Sequence, residues 1–167
     1  MDIRIEAVND RHEVRVQQLA SDAAVGATSN VPSPYPPDGA KTWIAHVQES
    51  RRRGRTYAFA VIDPAEGLVG ISSLMGVDPV QGICDLGYWV GRPYWGRGYA
   101  TAGARLVLSF GFGELGLRSI RATCLTTNAA SARVLEKLGF EFEGPGPADS
   151  RGPTADFLLS HEALRPA

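Results

Sequence analysis

The segment RPYWGRGYAT, Arg92 to Thr101, sets Gly96 and Gly98 directly ahead of an alanine-rich run. Glycine removes the side chains that keep an anion away from the backbone, and the first amides of a helix lack intrahelical partners at its positive dipole end. Arg92 and Arg97 add charge beside the same turn. This is phosphate-binding chemistry, although a tight surface turn draws on glycine in the same way. The spacing is neither the dinucleotide fingerprint nor the lysine-bearing phosphate loop. A second group lies in TTNAASARVLEKLGF, where Asn128 can cap a helix and Ser131 stands one turn inside it. Helix capping by Asn128 and termination at Gly139 account for this segment by themselves. Its pairing with the glycine loop, across a single strand-like run, is what points to a shared site.

Those residues need elements to hold them. DIRIEAV alternates as a half-buried strand does, and Asp10 with Glu13 predicts a capped helix carrying Val14, Leu19 and Ala23 on its inner side. GATSNVPSPYPPDG reads as a loop, because residues that precede proline avoid the helical region. Asp38 is the expected cap of a second helix with Trp43, Ile44 and Val47 inward. Its end at Arg51, Arg52 and Arg53 reads as a solvated basic terminus suited to the dipole. TYAFAVID and LVGISSLMGV, joined by PAEG, form an antiparallel hairpin that ICDLGYWVG extends to a meander.

From Tyr99 the pattern turns helical through Ala100, Ala104, Val107 and Phe110. RSIRATCL is a strand, NAASARVLEKLGF a capped helix, and FEFEG a strand again. Strand, helix, strand, helix, strand implies parallel crossover pairing. PGPADSRGPTA is a loop, and DFLLSHEAL closes the sheet antiparallel to its neighbour. The expected fold is α/β (α+β): one domain over residues 1–167, an antiparallel meander followed by βαβ strands.

Composition narrows the function. Hydrophobic residues make up 44% and charged residues 21%, values of a soluble globular chain. No apolar run approaches the roughly 20 residues of a membrane span, and MDIRIEAVND lacks the pattern of a secretory signal, so a cytoplasmic protein is expected. A formal net charge of -1 argues against nucleic acid as a partner. Cys84 and Cys124 sit in strand-like runs and read as buried reduced thiols, with no metal-ligand spacing. His12, His46 and His161 read as structural or exposed.

With GYW, YWGRGYAT and the Asn128 to Phe140 segment in this order, the chain resembles the GNAT (GCN5-related) N-acetyltransferases, and within them the RimJ/RimL-like ribosomal-protein-alanine acetyltransferases. SPYPPDGAKTWI is similar to the same branch. The resemblance implies acetyl-coenzyme A bound between two splayed parallel strands, Asp85 to Val90 and Ile120 to Leu125. It implies that backbone amides of Arg97, Gly98, Tyr99, Ala100 and Thr101 hold the pyrophosphate, with Arg92 alongside. Those near Trp89 and Val90 would contact the pantetheine and the thioester carbonyl, and Asn128 the cofactor arm. Ser131 matches the serine proposed in that branch as the acid that protonates the thiolate. The chain departs from the pattern at Pro93, where the wider family has glutamine or arginine, and at Leu135, where many relatives place an acidic tyrosine. Some branch members take a glutamate from the loop after EG as base, and here that loop offers Asp149.

Acetyl transfer to an amine needs a neutral nitrogen, a polarised carbonyl and a proton for the leaving sulfur. Asp85 or Asp149 can accept the amine proton through water, and either is equally well read as a surface aspartate. Direct transfer is expected over a covalent intermediate, because neither cysteine has a histidine beside it in sequence. The implied partner is a primary amine, a protein N-terminus or a small molecule, and both a monomer and a homodimer fit the sequence. A non-catalytic acyl-coenzyme A binding module fits the same residues. A different nucleotide-binding α/β protein fits less well, because the glycine loop follows a meander.

Overall fold

The structure, a computed structural model, describes residues 1–164. Seven strands follow the alternating runs of the sequence: β1 (Arg4–Ala7), β2 (Tyr57–Asp63), β3 (Gly67–Asp78), β4 (Ile83–Val90), β5 (Ser119–Leu125), β6 (Glu141–Pro145) and β7 (Thr154–Ser160). They share one sheet in the order β1-β2-β3-β4-β5-β7-β6. The helices are α1 (Glu13–Ala20), α2 (Ala23–Thr28), α3 (Gly39–Arg52), α4 (Tyr99–Gly113) and α5 (Ala129–Lys137). Two apolar clusters result, one joining α4 and α5 to Leu74, Leu86 and Ile120, the other joining α1 and α3 to Val61, Val69 and Ile71. Small residues let α4 lie close on the sheet, since a Cβ at Gly103 would come within 2.7 Å of Val61 Cγ2 and one at Gly111 within 2.8 Å of Leu74 Cδ1.

β2, β3 and β4 form the antiparallel meander. The crossover through α4 makes β4 and β5 parallel. The crossover through α5 differs from the expected adjacent pair, because β7 lies antiparallel between β5 and β6. β5 and β6 therefore run in one direction without sharing a ladder. The later strand takes the inner place beside β5.

Four local expectations also change. Val14 is 81% exposed and Ala23 is exposed on α2; the inward residues of α1 are Val16, Leu19 and Ala20. Val14 falls on the face of α1 away from these three, and Ala23 is set apart by a break at Ser21, after which Asp22 caps α2 by accepting from Ala24 N at 2.9 Å. The first cap of the chain is Asn9 instead of Asp10, with His12 buried and accepting from Asn9 N at 3.1 Å. Asp38 makes no side-chain cap on α3; Gln17 Oε1 on α1 accepts from Ala40 N at 2.9 Å in its place. Finally, Arg51 is not a solvated end. Its guanidinium lies 5.0 Å from the Tyr57 ring, 5.1 Å from Phe59 and 6.0 Å from Phe110, while Arg52 and Arg53 pair with Glu49.

Candidate functional site

β4 and β5 are hydrogen-bonded only from Ile83 to Leu86 and from Ser119 to Ala122. Beyond that point Gly87–Val90 remain paired with β3, and Thr123–Leu125 with β7. The two strands part here. The edge of β4 that faced β5 then carries peptide groups without a ladder partner, and such groups bind water or a ligand. One of them is occupied, because Val90 O accepts from Trp95 Nε1 at 2.7 Å.

The chain leaves β4 through a short 3-10 turn at Arg92–Tyr94 and reaches α4 through Gly96 and Gly98, at φ 72° and 84°. These are left-handed conformations that a side chain strains to adopt. The surroundings are open: a Cβ at Gly96 would meet no atom within 4 Å, and one at Gly98 only Met1 Cε at 3.7 Å. The first bond of α4 runs from Ala102 N to Gly98 O, so the helix offers no acceptor to the amides of Tyr99, Ala100 and Thr101. Arg97 lies over the rings of Tyr94 and Tyr99 and 3.6 Å from Glu66, and Arg92 is 4.0 Å from Asp22. Both ion pairs are long and solvated, which leaves their charge available to an anion. The Tyr99 phenol donates to Asp63 Oδ2 at 2.8 Å, so its side chain anchors α4 and its backbone alone serves the loop.

Across the split stands the start of α5. Asn128 Oδ1 caps it by accepting from Ser131 N at 3.1 Å, while Asn128 Nδ2 donates to Thr28 O at 3.3 Å. The Ser131 hydroxyl lies 2.8 Å from the Tyr88 hydroxyl. Burial pushes the Tyr88 phenol up to about 12, with the Ser131 contact pulling the other way. Tyr88 therefore keeps its proton throughout the neutral range. The Cys124 thiol is raised by burial and pulled back by Ser131, and Cys84 is raised to about 12, so both stay protonated. Sequence reasoning singled out Ser131 but passed over Tyr88. Strand alternation gave the signal, since it turns Tyr88 to the face opposite Trp89.

Two cavities meet here. A smaller one, about 260 Å³, is lined by Leu86, Cys124, Ser131, Leu135, Asp149 and Arg151 among others. A larger one, about 660 Å³, includes Tyr35, Trp43, Ile71, Met75 and Trp89 in its wall. Both are lined by Ser29, Asn30, Gly87 and Tyr88. Arg97 to Thr101, the residues expected to hold a pyrophosphate, line neither.

Asp85 sits in the paired half of β4 and is bound by Arg121, with Nε at 3.1 Å and Nη2 at 3.4 Å; it lines neither cavity. Asp149 does line the smaller one, but Arg151 clasps it through Nε at 2.9 Å and Nη2 at 2.8 Å. Those bonds hold the Asp149 carboxyl down at about 2, making it a weak base. Arg151 also donates to Ser29 O and to Asn30 Oδ1, tying the two loops over the cavity. Among the described residues no cluster of His, Cys, Asp or Glu has metal-binding geometry, and no helix is long and apolar enough to cross a membrane.

The profile of the Acetyltransferase (GNAT) domain family matches residues 3–141. A probable N-acetyltransferase, YjcK of Bacillus subtilis, is 32% identical over 114 residues, 66% of this chain and 62% of its own. An uncharacterized N-acetyltransferase of Bacillus licheniformis is 27% identical over 76% of this chain and 72% of its own. Among solved structures, the spermidine N-acetyltransferase of Vibrio cholerae, in complex with CoA and spermine, superposes with a TM-score of 0.83 at 15% identity, covering 98% of both chains. Mycobacterium smegmatis RimJ, in complex with CoA-disulfide, gives 0.85 at 20% identity, over 99% of this chain and 85% of that one.

Proposed function

This chain belongs to the GNAT acetyltransferase family, and from that premise we propose that it transfers an acetyl group directly from acetyl-coenzyme A to a primary amine, a protein N-terminus or a small molecule. The observation that carries the reading is the meeting of the two cavities at Gly87 and Tyr88, beside the free edge of β4 and the Ser131 hydroxyl. The residues fit the donor. Amides of Arg97 to Thr101 would hold its pyrophosphate with Arg92 and Arg97 nearby, and the unpaired edge of β4 from Gly87 to Val90 would orient its pantetheine arm. When bound, acetyl-coenzyme A supplies an activated thioester.

Ser131 holds a proton at Oγ, and the Tyr88 phenol 2.8 Å away is placed to restore it. Asn128 fixes the position of Ser131 by capping its amide, an indirect role beside any contact with the cofactor arm. Direct transfer is favoured because Cys124 is a protonated thiol. Asp85 and Asp149 are both engaged by arginine, so a proton from the amine would leave through water with these carboxylates contributing little. The test is thiol release from acetyl-coenzyme A against N-terminal peptides, polyamines and small amines, read beside calorimetric binding of coenzyme A. At least one amine is expected to exceed background hydrolysis. Binding of coenzyme A with no response to any amine would instead establish a non-catalytic acyl-coenzyme A module.

A further inference from the structure

The larger cavity has the wrong chemistry for a polycation. Its wall draws on α1, α3, β3, β4 and the Ser29–Gly39 loop, and large apolar groups dominate it: Tyr35, Trp43, Ile71, Met75 and Trp89. Its ionisable lining residues besides the tyrosines are Asp38 and His46, and both are exposed. The Tyr35 ring is seated against the first residue of α3, so that a Cβ on Gly39 would come within 2.8 Å of it. An aromatic wall is thereby built into the loop. At about 660 Å³ the space matches a compact organic molecule.

Resting on the acetyl-transfer reading, we infer that the acceptor is a primary amine joined to a compact apolar body, aromatic or branched, and not a polyamine. Two physical terms support this class. A flexible cation with several ammonium groups buries several charges at once, and the single carboxylate of this wall, the exposed Asp38, can pair with only one of them. An apolar amine gains from the same wall by burying its body. The second term concerns the nitrogen. Desolvation disfavours an ammonium ion, so the apolar chamber favours the neutral amine that the reaction requires. That effect supplies a neutral nitrogen where Asp149, the carboxylate of the adjoining cavity, is already held by Arg151. The nitrogen reaches the donor side at Gly87, which lines both cavities and carries no side chain there; a Cβ placed on it would come within 2.6 Å of the Met75 methyl.

The experiment compares 2-phenylethylamine, a peptide beginning with phenylalanine, a peptide beginning with alanine, and spermidine in the thiol-release assay. Binding is followed separately by quenching of tryptophan fluorescence with 2-phenylethanol, since Trp43 and Trp89 both line the chamber. The two apolar amines are expected to exceed spermidine in kcat/KM by at least about tenfold, the scale on which apolar pockets discriminate. Their order relative to each other separates a small molecule from a protein N-terminus as the source. The exposed Thr42 on α3 provides a mild variant, and Thr42→Glu should narrow that preference by placing a carboxylate in the wall. Spermidine turned over as well as either apolar amine overturns the substrate class while leaving acetyl transfer intact. Saturable quenching without turnover of any amine overturns acetyl transfer and keeps the apolar ligand class. Neither quenching nor turnover overturns both.

Discussion

The proposed donor and acceptor sides of the site are built by different means. The donor side is mostly backbone: amides at the start of α4, reached through Gly96 and Gly98, and the edge of β4 left free after Leu86. The acceptor side is side chains, contributed by α1, α3, β3, β4 and one loop. A backbone site is contiguous in sequence and tolerates change in every residue whose φ it does not constrain. A side-chain chamber is discontinuous and changes its ligand with each substitution, so one scaffold can keep its donor while exchanging acceptors.

The largest effect is expected where the two sides meet. Ser131→Ala should lower kcat by about 10²-fold while calorimetry shows coenzyme A binding nearly unchanged, because a positioned acid acts in the transition state. Tyr88→Phe should reproduce much of that loss, since it removes the hydroxyl 2.8 Å from Ser131. If either variant instead lost binding with kcat intact, the residue would belong to the donor site alone.

A smaller effect tests the backbone side. Gly98→Ala should weaken coenzyme A binding by about tenfold and also cost about 1 kcal/mol of stability, because alanine is strained at φ 84°. Gly96→Ala carries similar strain at φ 72° and serves as the control in paired titrations and melting curves. Equal binding losses in the two variants would assign the effect to turn geometry and not to the anion.

The least effect is expected from the carboxylates. The folded pKa of Asp149 lies near 2, below its ordinary 3.8, so its ion pair stabilises the fold above the ordinary value and that contribution fades as pH falls toward 2. It does not titrate in the working range. The pH-rate profile of Asp149→Asn should therefore overlay the parent's between about pH 5 and 9, and a missing acidic limb would make Asp149 the base. Asp85→Asn should leave kcat within about twofold, as it removes half of an exposed pair with Arg121.

The contrast between the two sides also explains what was legible in the sequence. Gly96, Gly98, Asn128 and Ser131 announce themselves, because positive φ and helix capping demand particular residue types at fixed local spacing. Tyr88 could be found from alternation only once its strand was known to face α5. The chamber was hidden, since Trp43 read as an inward helix residue and Trp89 as a backbone contact to the cofactor until the fold brings their elements together. The same limit applied to the sheet. Strand pattern identified β5, β6 and β7, but the place of β7 depends on partners distant in sequence. Arg51 fitted a helix terminus by local rules, and the three rings that receive it come from β2 and α4.

The insertion of β7 between β5 and β6 has a consequence for the order of assembly. β6 pairs only with β7, through a local antiparallel hairpin, whereas β7 must also close a longer loop to meet β5. On the ribosome, β6 emerges before the strand that anchors it to the sheet, and the smaller cavity lacks Thr154 until β7 is made. Amide exchange protection along β6 should accordingly rise and fall with that of β7, independently of the meander.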